Sequence, residues 1–317
     1  MKRTLQDVYA NPIFGALYPE GLEFMTARRL PSSFEEAGID VTALVSFGVF
    51  PHIKTIPAAQ MMLEDFKNGL YEGKHTMVVD SSGNTAHAVA RLARAFAFKM
   101  VKVVLSKDVP ESKKGILAAL PGVELIEVGE KVSERAQEEG RRPGHVHLDQ
   151  YKHMGNVHGH ELYTGPEIVR VLGQAPRVIT IAMGSGGTAC GVGRFFRANH
   201  PDTLIIGVRP RLGERVPGAR DKKKMEEDVT LPWEEVVDVV IEETRKDSFI
   251  AMRRLWRDVE PQPGPTSGLA FVGLEEYLEI CPPETLRRFT GGIAAFLCPD
   301  DGRFYSERTT GELDPDQ

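Results

Sequence analysis

No run in the 317-residue chain approaches the roughly 20 consecutive apolar residues of a membrane-spanning helix, which argues against a membrane protein. The opening segment, MKRTLQDVYANPIF, is basic at its start but lacks the apolar centre of a secretory leader. Cysteine is scarce. Cys190, Cys281 and Cys298 are odd in number and widely spaced, which argues against a disulfide framework and points to a reducing, cytoplasmic setting. Neither sign of charge dominates. A formal net charge of −6 gives no electrostatic reason to expect nucleic acid as a partner. One basic run, Lys222, Lys223 and Lys224, is answered at once by Glu226, Glu227 and Asp228, the pattern of a solvated loop or helix end. There is no internal repeat and no low-complexity segment, and the polar tail Arg308–Gln317 is expected to fray.

What is present is an ordinary globular composition, 41% hydrophobic and 26% charged, in a chain long enough for two domains. Short β-branched runs alternate with helical patterns. Thr76–Val79, Val101–Leu105 and Val123–Val128 read as strands. Asn84–Phe98, with Val89, Leu92, Ala93 and Phe96 on one face, reads as a helix, as do Glu111–Ala119 and Val132–Glu138. After a turn-rich stretch at Gly140–Gly144 the alternation resumes, with Gly155–Gly159 read as irregular. Helices are predicted at Gly165–Leu172, Gly187–Asn199, Ser248–Arg257 and Thr266–Leu278. Strands are predicted at Arg177–Ala182, Leu204–Val208, Val236–Ile241 and Ile293–Cys298. Strand–helix–strand order implies crossovers and parallel sheets in two α/β units, with a boundary near residues 140–155. The residues before about 45 have weak periodicity and are not assigned.

Three short segments carry chemistry. GSGGT, Gly184–Thr188, follows the strand RVITIAM and opens a helix. Such a turn directs free backbone N–H groups at an anion, and Ser185 and Thr188 add hydroxyls. No Gly-Lys-Ser/Thr follows, and no acidic residue closes Leu204–Val208, so neither nucleotide fingerprint fits. The alternative is a tight βα turn that uses glycine only for its backbone freedom. SSGNTA, Ser81–Ala86, also joins strand to helix. It reads either as a helix N-cap through Ser82 or Asn84, or as a second anion site for a substrate carboxylate. Lys54 lies between Ile53 and Ile56 before a helix with Ala59, Met62 and Phe66 on one face. Desolvation there favours the free amine that a Schiff base needs, and the alternative is a lysine that snorkels to solvent.

Together these segments resemble the cysteine synthase and cystathionine β-synthase family of fold-type II pyridoxal-phosphate enzymes. PHIK at 51–54 is similar to the family's PxxSVK, SSGNTA at 81–86 to TSGNTG, GSGGTACGVGRFFR at 184–197 to GTGGTxxGVGRYLK, and GPTSGLA at 264–270 to GxSSGAA. LDQYKHMGNVHGHELYTGPEI at 148–168 is similar to NQFxNPxNxxxHxxTTGPEI, and FLCPDDGRFY to VVILPDSGERYL. The resemblance implies two three-layer αβα domains with mostly parallel twisted sheets and an active site in the cleft between them. A smaller, mobile substrate-loop domain would span 45–150, and a larger cofactor-phosphate-binding domain would comprise 1–44 and 151–317.

It also implies roles. Lys54 would carry pyridoxal 5′-phosphate as a Schiff base and later shuttle the α-proton. Gly184, Ser185, Gly186, Gly187 and Thr188 would hold the cofactor phosphate, and Asn84 the 3′-oxygen. Ser81, Ser82, Gly83, Thr85 and Gln150 would bind the substrate carboxylate. Thr266, with Ser267 as second choice, would face the pyridine nitrogen. A hydroxyl there leaves the nitrogen largely unprotonated and weakens the electron sink, which suits loss of a β-substituent through an aminoacrylate. The implied reaction is β-replacement on an activated serine. β-Elimination or deamination of a small amino acid is the alternative, and a non-catalytic binding homologue a third. A homodimer is implied. Some family members bind the tail of serine acetyltransferase, which nothing in this sequence decides.

The chain departs from the family pattern at Thr55 and Ile56, where Asp-Arg or Cys-Arg is usual, at Ala86 for glycine, at Asp149 for asparagine, and along the charged segment Val216–Asp228. These departures leave the amino acid and the nucleophile open. Five of the nine histidines, His145, His147, His153, His158 and His160, fall within 16 residues, but no cysteine or paired helical spacing completes a zinc site, so no metal is expected. Cys190 is expected to be a packing residue, and Trp233 and Trp256 core or interface residues.

Overall fold

The computed structural model describes residues 3–17 and 23–305, so the predicted fraying of Arg308–Gln317 lies outside the described residues. Helices α1 (Leu5–Tyr9) and α2 (Pro12–Leu17) precede strands β1 (Thr26–Arg29) and β2 (Ile39–Val45). Then follow α3 (Thr55–Lys67), β3 (Thr76–Asp80), α4 (Asn84–Leu92), β4 (Met100–Ser106), α5 (Glu111–Ala118), β5 (Val123–Val128), α6 (Val132–Gly140) and β6 (His145–His147). The chain continues through α7 (Gly155–Gly159), α8 (Gly165–Leu172), β7 (Val178–Ala182), α9 (Gly187–Asn199), β8 (Leu204–Pro210), α10 (Lys222–Asp228) and β9 (Val239–Glu243). It closes with α11 (Arg245–Leu255), α12 (Pro265–Ile280), α13 (Pro283–Phe289) and β10 (Gly292–Cys298).

The chain divides into two compact units. The first comprises Met1–Glu23 and Lys54–Gly159, the second Phe24–Ile53 and His160–Gln317. The first unit is built on a four-stranded sheet of order β5-β4-β3-β6, parallel throughout. Met77, Val78, Val79, Val103 and Val104 are fully buried in it, because β-branched residues tolerate the pleat of a strand covered on both faces. The second unit carries a six-stranded sheet of order β1-β2-β10-β7-β8-β9. All pairs are parallel except the edge pair β1–β2. Its core joins Val41, Val178, Ile206 and Phe296 of the strands to Leu269 and Leu274 of α12. The strand–helix alternation read from the sequence is thus the architecture.

Several local expectations are corrected. Gly155–Gly159, read as irregular, forms α7, and His160–Thr164 continues as a π turn into α8. The glycines there serve close packing: a Cβ on Gly155 would lie 2.8 Å from the Met61 Cα of α3. The helix predicted over 84–98 ends as α-helix at Leu92, tightens to 3₁₀ over Ala93–Phe96 and stops at Ala97, which is left-handed at φ 68°. The strand expected at Val236–Ile241 starts at Val239, because a 3₁₀ turn at Trp233–Glu235 takes the N–H of Val236. The unassigned N-terminal region supplies β1 and β2, with β2 in register beside β10. Three residues, His145–His147, were too few to signal β6. The basic-then-acidic run is the exposed helix α10, capped by Asp221 and laced by Lys222–Glu226 and Lys223–Glu227 pairs.

Candidate active site

In the second unit, buried β7 delivers the chain into the turn Gly184–Thr188. A Cβ on Gly184 would run into the carbonyl oxygen of Gly218, so the backbone at 216–219 can lie against the turn only because no side chain intervenes. Gly186 sits at φ 78° in the N-cap position of α9, a conformation that glycine adopts without strain. No side chain caps this 13-residue helix. Its first N–H groups therefore lack intrahelical acceptors and carry the positive end of the helix dipole. Ser185 and Thr188 are buried beside them. The Thr188 hydroxyl lies 3.1 Å from Nε2 of His160, whose Nδ1 lies 2.9 Å from the Thr164 hydroxyl.

The same 216–219 segment reaches α12. A Cβ on Gly218 would stand 3.1 Å from Cγ2 of Thr266, which occupies the first turn of α12 behind the helix-start Pro265. Thr266 is 5% exposed, and Ser267 is fully buried. Ahead of them the Gly264 N–H donates to the Asp300 carbonyl at 3.0 Å, and the Tyr305 hydroxyl donates to the Asp300 carboxylate at 2.7 Å. The fold thus brings Gly184–Thr188 and Thr266 to one place from sequence positions some 80 residues apart.

In the first unit, Lys54 stands at the N-cap position of α3 and is half-buried, and its carbonyl accepts the Ala58 N–H. Its apolar neighbours Ile53 and Ile56 are each 1% exposed. The loop from Ser81 to Thr85 leaves the end of β3. The N-cap of α4 is Gly83, with no side-chain cap, so the capping role considered for Ser82 and Asn84 is not the one they play. The Gly83 N–H donates to Ser81 Oγ at 3.2 Å. Thr85, buried, donates its hydroxyl to the amide oxygen of buried Gln150 at 2.6 Å. Asn156 Nδ2 in turn donates to the Gln150 carbonyl at 2.7 Å. With its oxygen accepting from Thr85, the Gln150 amide has its NH₂ as its donor end.

The clustered histidines are tied to neighbouring groups. His153 reaches Asp65 and His158 reaches Glu64, each at 2.9 Å, and both acids belong to α3. His147 reaches Asp80 at 3.1 Å, and His145 the Glu139 carbonyl at 3.0 Å. No group of three or more His, Cys, Asp or Glu among the described residues has the geometry to hold a metal. Burial pushes the Cys190 thiol up to about 11, and its Sγ is 3.5 Å from the Pro232 carbonyl, which makes it a packing group. Missed by sequence reasoning were Asn156 behind Gln150, His160 behind Thr188, and Gly218 between the turn and Thr266. Asn156 and His160 fall on fixed positions of the motif matched at 148–168, but that match does not say which group each holds, since each acts through a partner brought near by the fold.

The parallel α/β units thus carry an uncapped glycine turn in one, and a helix-start lysine and a hydroxyl–amide loop in the other. The pattern of the pyridoxal-phosphate dependent enzymes matches residues 53–286, and the chain belongs to that family. Cysteine synthase B of Pseudomonas aeruginosa is 28% identical over 83% of this chain and 85% of its own length, and that of Escherichia coli 27% over 82% and 84%. Cystathionine beta-synthase of Saccharomyces cerevisiae is 26% identical over 80% of this chain and 54% of its own. Among solved structures, an O-ureido-L-serine synthase superposes with TM-score 0.78 at 19% identity, covering 93% of each chain. A hydrogen sulfide-producing enzyme of Fusobacterium nucleatum superposes with TM-score 0.79 at 19% identity, covering 93% of this chain and 99% of the other. The fold is that of fold-type II enzymes, and the protein is a pyridoxal-phosphate-dependent enzyme acting on a small amino acid. The described residues fit the cofactor: the glycine turn opens a helix with no side-chain cap and is flanked by buried hydroxyls, as a phosphate requires.

Proposed function

We propose that the protein catalyses β-replacement on an activated serine, an O-acyl serine or serine itself, with sulfide or another small nucleophile as acceptor. The observation that carries this reading is Thr266, a buried hydroxyl at the head of α12, packed through Gly218 against the turn that fits a phosphate. Pyridoxal phosphate, when bound, would supply an electron sink for chemistry at the substrate Cα. The Thr266 hydroxyl would face the pyridine nitrogen, and a neutral partner there would moderate that sink and favour departure of a β-substituent over transamination.

In this reading Lys54 would hold the cofactor through its ε-amine and would move the α-proton of the amino acid. Backbone N–H groups of Gly184–Thr188 would hold the phosphate with the Ser185 and Thr188 hydroxyls, and Asn84 would orient the 3′-oxygen. Ser81, Ser82, Gly83, Thr85 and Gln150 bind the substrate carboxylate, the Gln150 NH₂ donating while Thr85 fixes its amide. The reading requires Lys54 of the first unit and the 184–188 turn of the second to serve one cofactor. It extends to a cytoplasmic homodimer, which sedimentation of the purified chain tests.

β-Elimination uses the same groups and differs only in what meets the unsaturated product. The charged segment 216–228, whose Gly218 abuts the turn, is the departure from the family pattern that bears on this choice. The test is product analysis with O-acetyl-L-serine, with and without sulfide, after recording the cofactor spectrum before and after borohydride. Cysteine formed only with sulfide supports replacement. Pyruvate and ammonia in both cases would convert the assignment to elimination, and a colourless protein after loading would end it.

A further inference from the structure

Strands β3 and β6 run parallel side by side, with Val78 in register with His147, and the Leu148 N–H donates to the Val78 carbonyl. Both strands end at the substrate loops of the proposed site. Ser81 follows Asp80 directly, and Gln150 lies three residues beyond His147. Across these two strand ends, His147 Nε2 lies 3.1 Å from one oxygen of the Asp80 carboxylate. The other oxygen accepts the Ser133 hydroxyl of α6 at 2.7 Å. The Asp80 side chain is 1% exposed and that of His147 10%. A carboxylate this deep needs both oxygens bonded, so its two partners and the chain that bears it are held as one piece.

We infer that His147 is a positioning residue for the substrate carboxylate: through Asp80 it clamps the loop of Ser81–Thr85 to the loop of Gln150, so that the buried Thr85–Gln150 hydrogen bond forms at a fixed spacing. The inference deepens the proposed function and rests on its assignment of these loops to the substrate. The clamp touches no substrate atom. Its effect is to order the cradle before an amino acid arrives, so that binding does not bear the cost of ordering it. Without the clamp the two strand ends remain paired by β-sheet hydrogen bonds up to Leu148, and the direction in which each loop leaves its strand rests on the bonds made further along, Thr85 to Gln150 and Asn156 to Gln150. Ser133 belongs to the same device from a third element, since it prevents the Asp80 carboxylate from rotating away from His147.

The test combines two measurements on the full chain. Absorbance titration of the cofactor-loaded protein with L-serine and with O-acetyl-L-serine gives dissociation constants. Hydrogen–deuterium exchange on cofactor-free protein follows peptides covering 81–86 and 148–151. His147→Ala is expected to weaken amino-acid binding about tenfold, to speed exchange in both peptides and to leave the 184–188 peptide unchanged. His147→Gln, which restores an N–H donor to Asp80, should recover most of the loss. In a Gln150→Ala background the His147→Ala change should add less than about twofold, because the group it positions is already gone.

Equal weakening in both backgrounds would mean general damage and overturn the inference, as would unchanged binding and exchange in His147→Ala. If that variant fails to fold, Ser133→Ala carries the same comparison with about a threefold expected effect. If the unmodified protein gives no spectral response to either amino acid, the functional reading fails on its own. The exchange measurement then still decides whether the clamp orders these loops.

Discussion

Thr85 and Gln150 are 65 residues apart in sequence and meet in a buried hydrogen bond of 2.6 Å, hydroxyl to amide oxygen. The contact fixes which end of the Gln150 amide can donate. Thr85→Val keeps the volume and removes that control, and it leaves the amide oxygen without its partner. A lost hydrogen bond to a charged ligand is worth about 1.5–3 kcal/mol, so KM for the amino acid is expected to rise roughly 10- to 100-fold with kcat changed less. Steady-state kinetics on O-acetyl-L-serine check this, and an unchanged KM would remove Thr85 from the substrate site.

Lys54→Ala is expected to lose the borohydride-fixed pyridoxyl label found by mass spectrometry on the unmodified chain, and to lose turnover by at least about 10³-fold, as for a missing nucleophile and base. The thermal midpoint should stay within a few degrees, because Lys54 is only half-buried at the start of α3.

Gly184→Ala places a methyl group against the Gly218 carbonyl, a backbone group that cannot swing aside. Overpacking of this kind costs about 1–3 kcal/mol. The variant should melt at lower temperature and bind pyridoxal phosphate more weakly, as measured by cofactor release on dialysis. Gly173→Ala is a useful comparison. It lies at φ 71° with open space around it, so it should lose stability without losing cofactor.

Burial, a hydrogen bond with Glu276 and the nearby charges of Glu276 and Asp247 push the Glu243 carboxyl up to about 8, against a smaller opposing pull from Arg211. The carboxyl is therefore held protonated in the folded chain well above the pH at which it ionises when unfolded. Stability from this group is fully present below about pH 4.5 and is lost as pH rises through about 8. Glu243→Gln should flatten that decline. Melting temperatures from pH 5 to 9 should converge for the two proteins at the acid end, with the variant ahead at the alkaline end.

Cys190, Cys281 and Cys298 are all buried, and burial pushes the Cys298 thiol to about 12. A thiol reagent should find almost none of them in the native protein and all three in denaturant. Cys190→Ala is expected to keep turnover within about twofold, and a larger loss would reassign the residue.

The sequence alone determined the alternation of strands and helices, because apolar periodicity is local and survives without tertiary context. Val123–Val128, Gly165–Leu172 and Gly187–Asn199 are read in it residue for residue. It also offered the glycine turn, the loop at 81–86 and Lys54, since each is a contiguous segment whose chemistry is written in residue type. What only the tertiary structure decided are pairings: Thr85 with Gln150, His147 with Asp80, Thr188 with His160, and Gly218 between the turn and Thr266. It also decided that α7 is a helix, because its glycines serve an approach to α3 that no local rule contains. The physical reason is common to all of these. Periodicity and turn chemistry depend on neighbours along the chain, whereas a hydrogen bond or a close backbone approach depends on a partner that sheet order alone brings near.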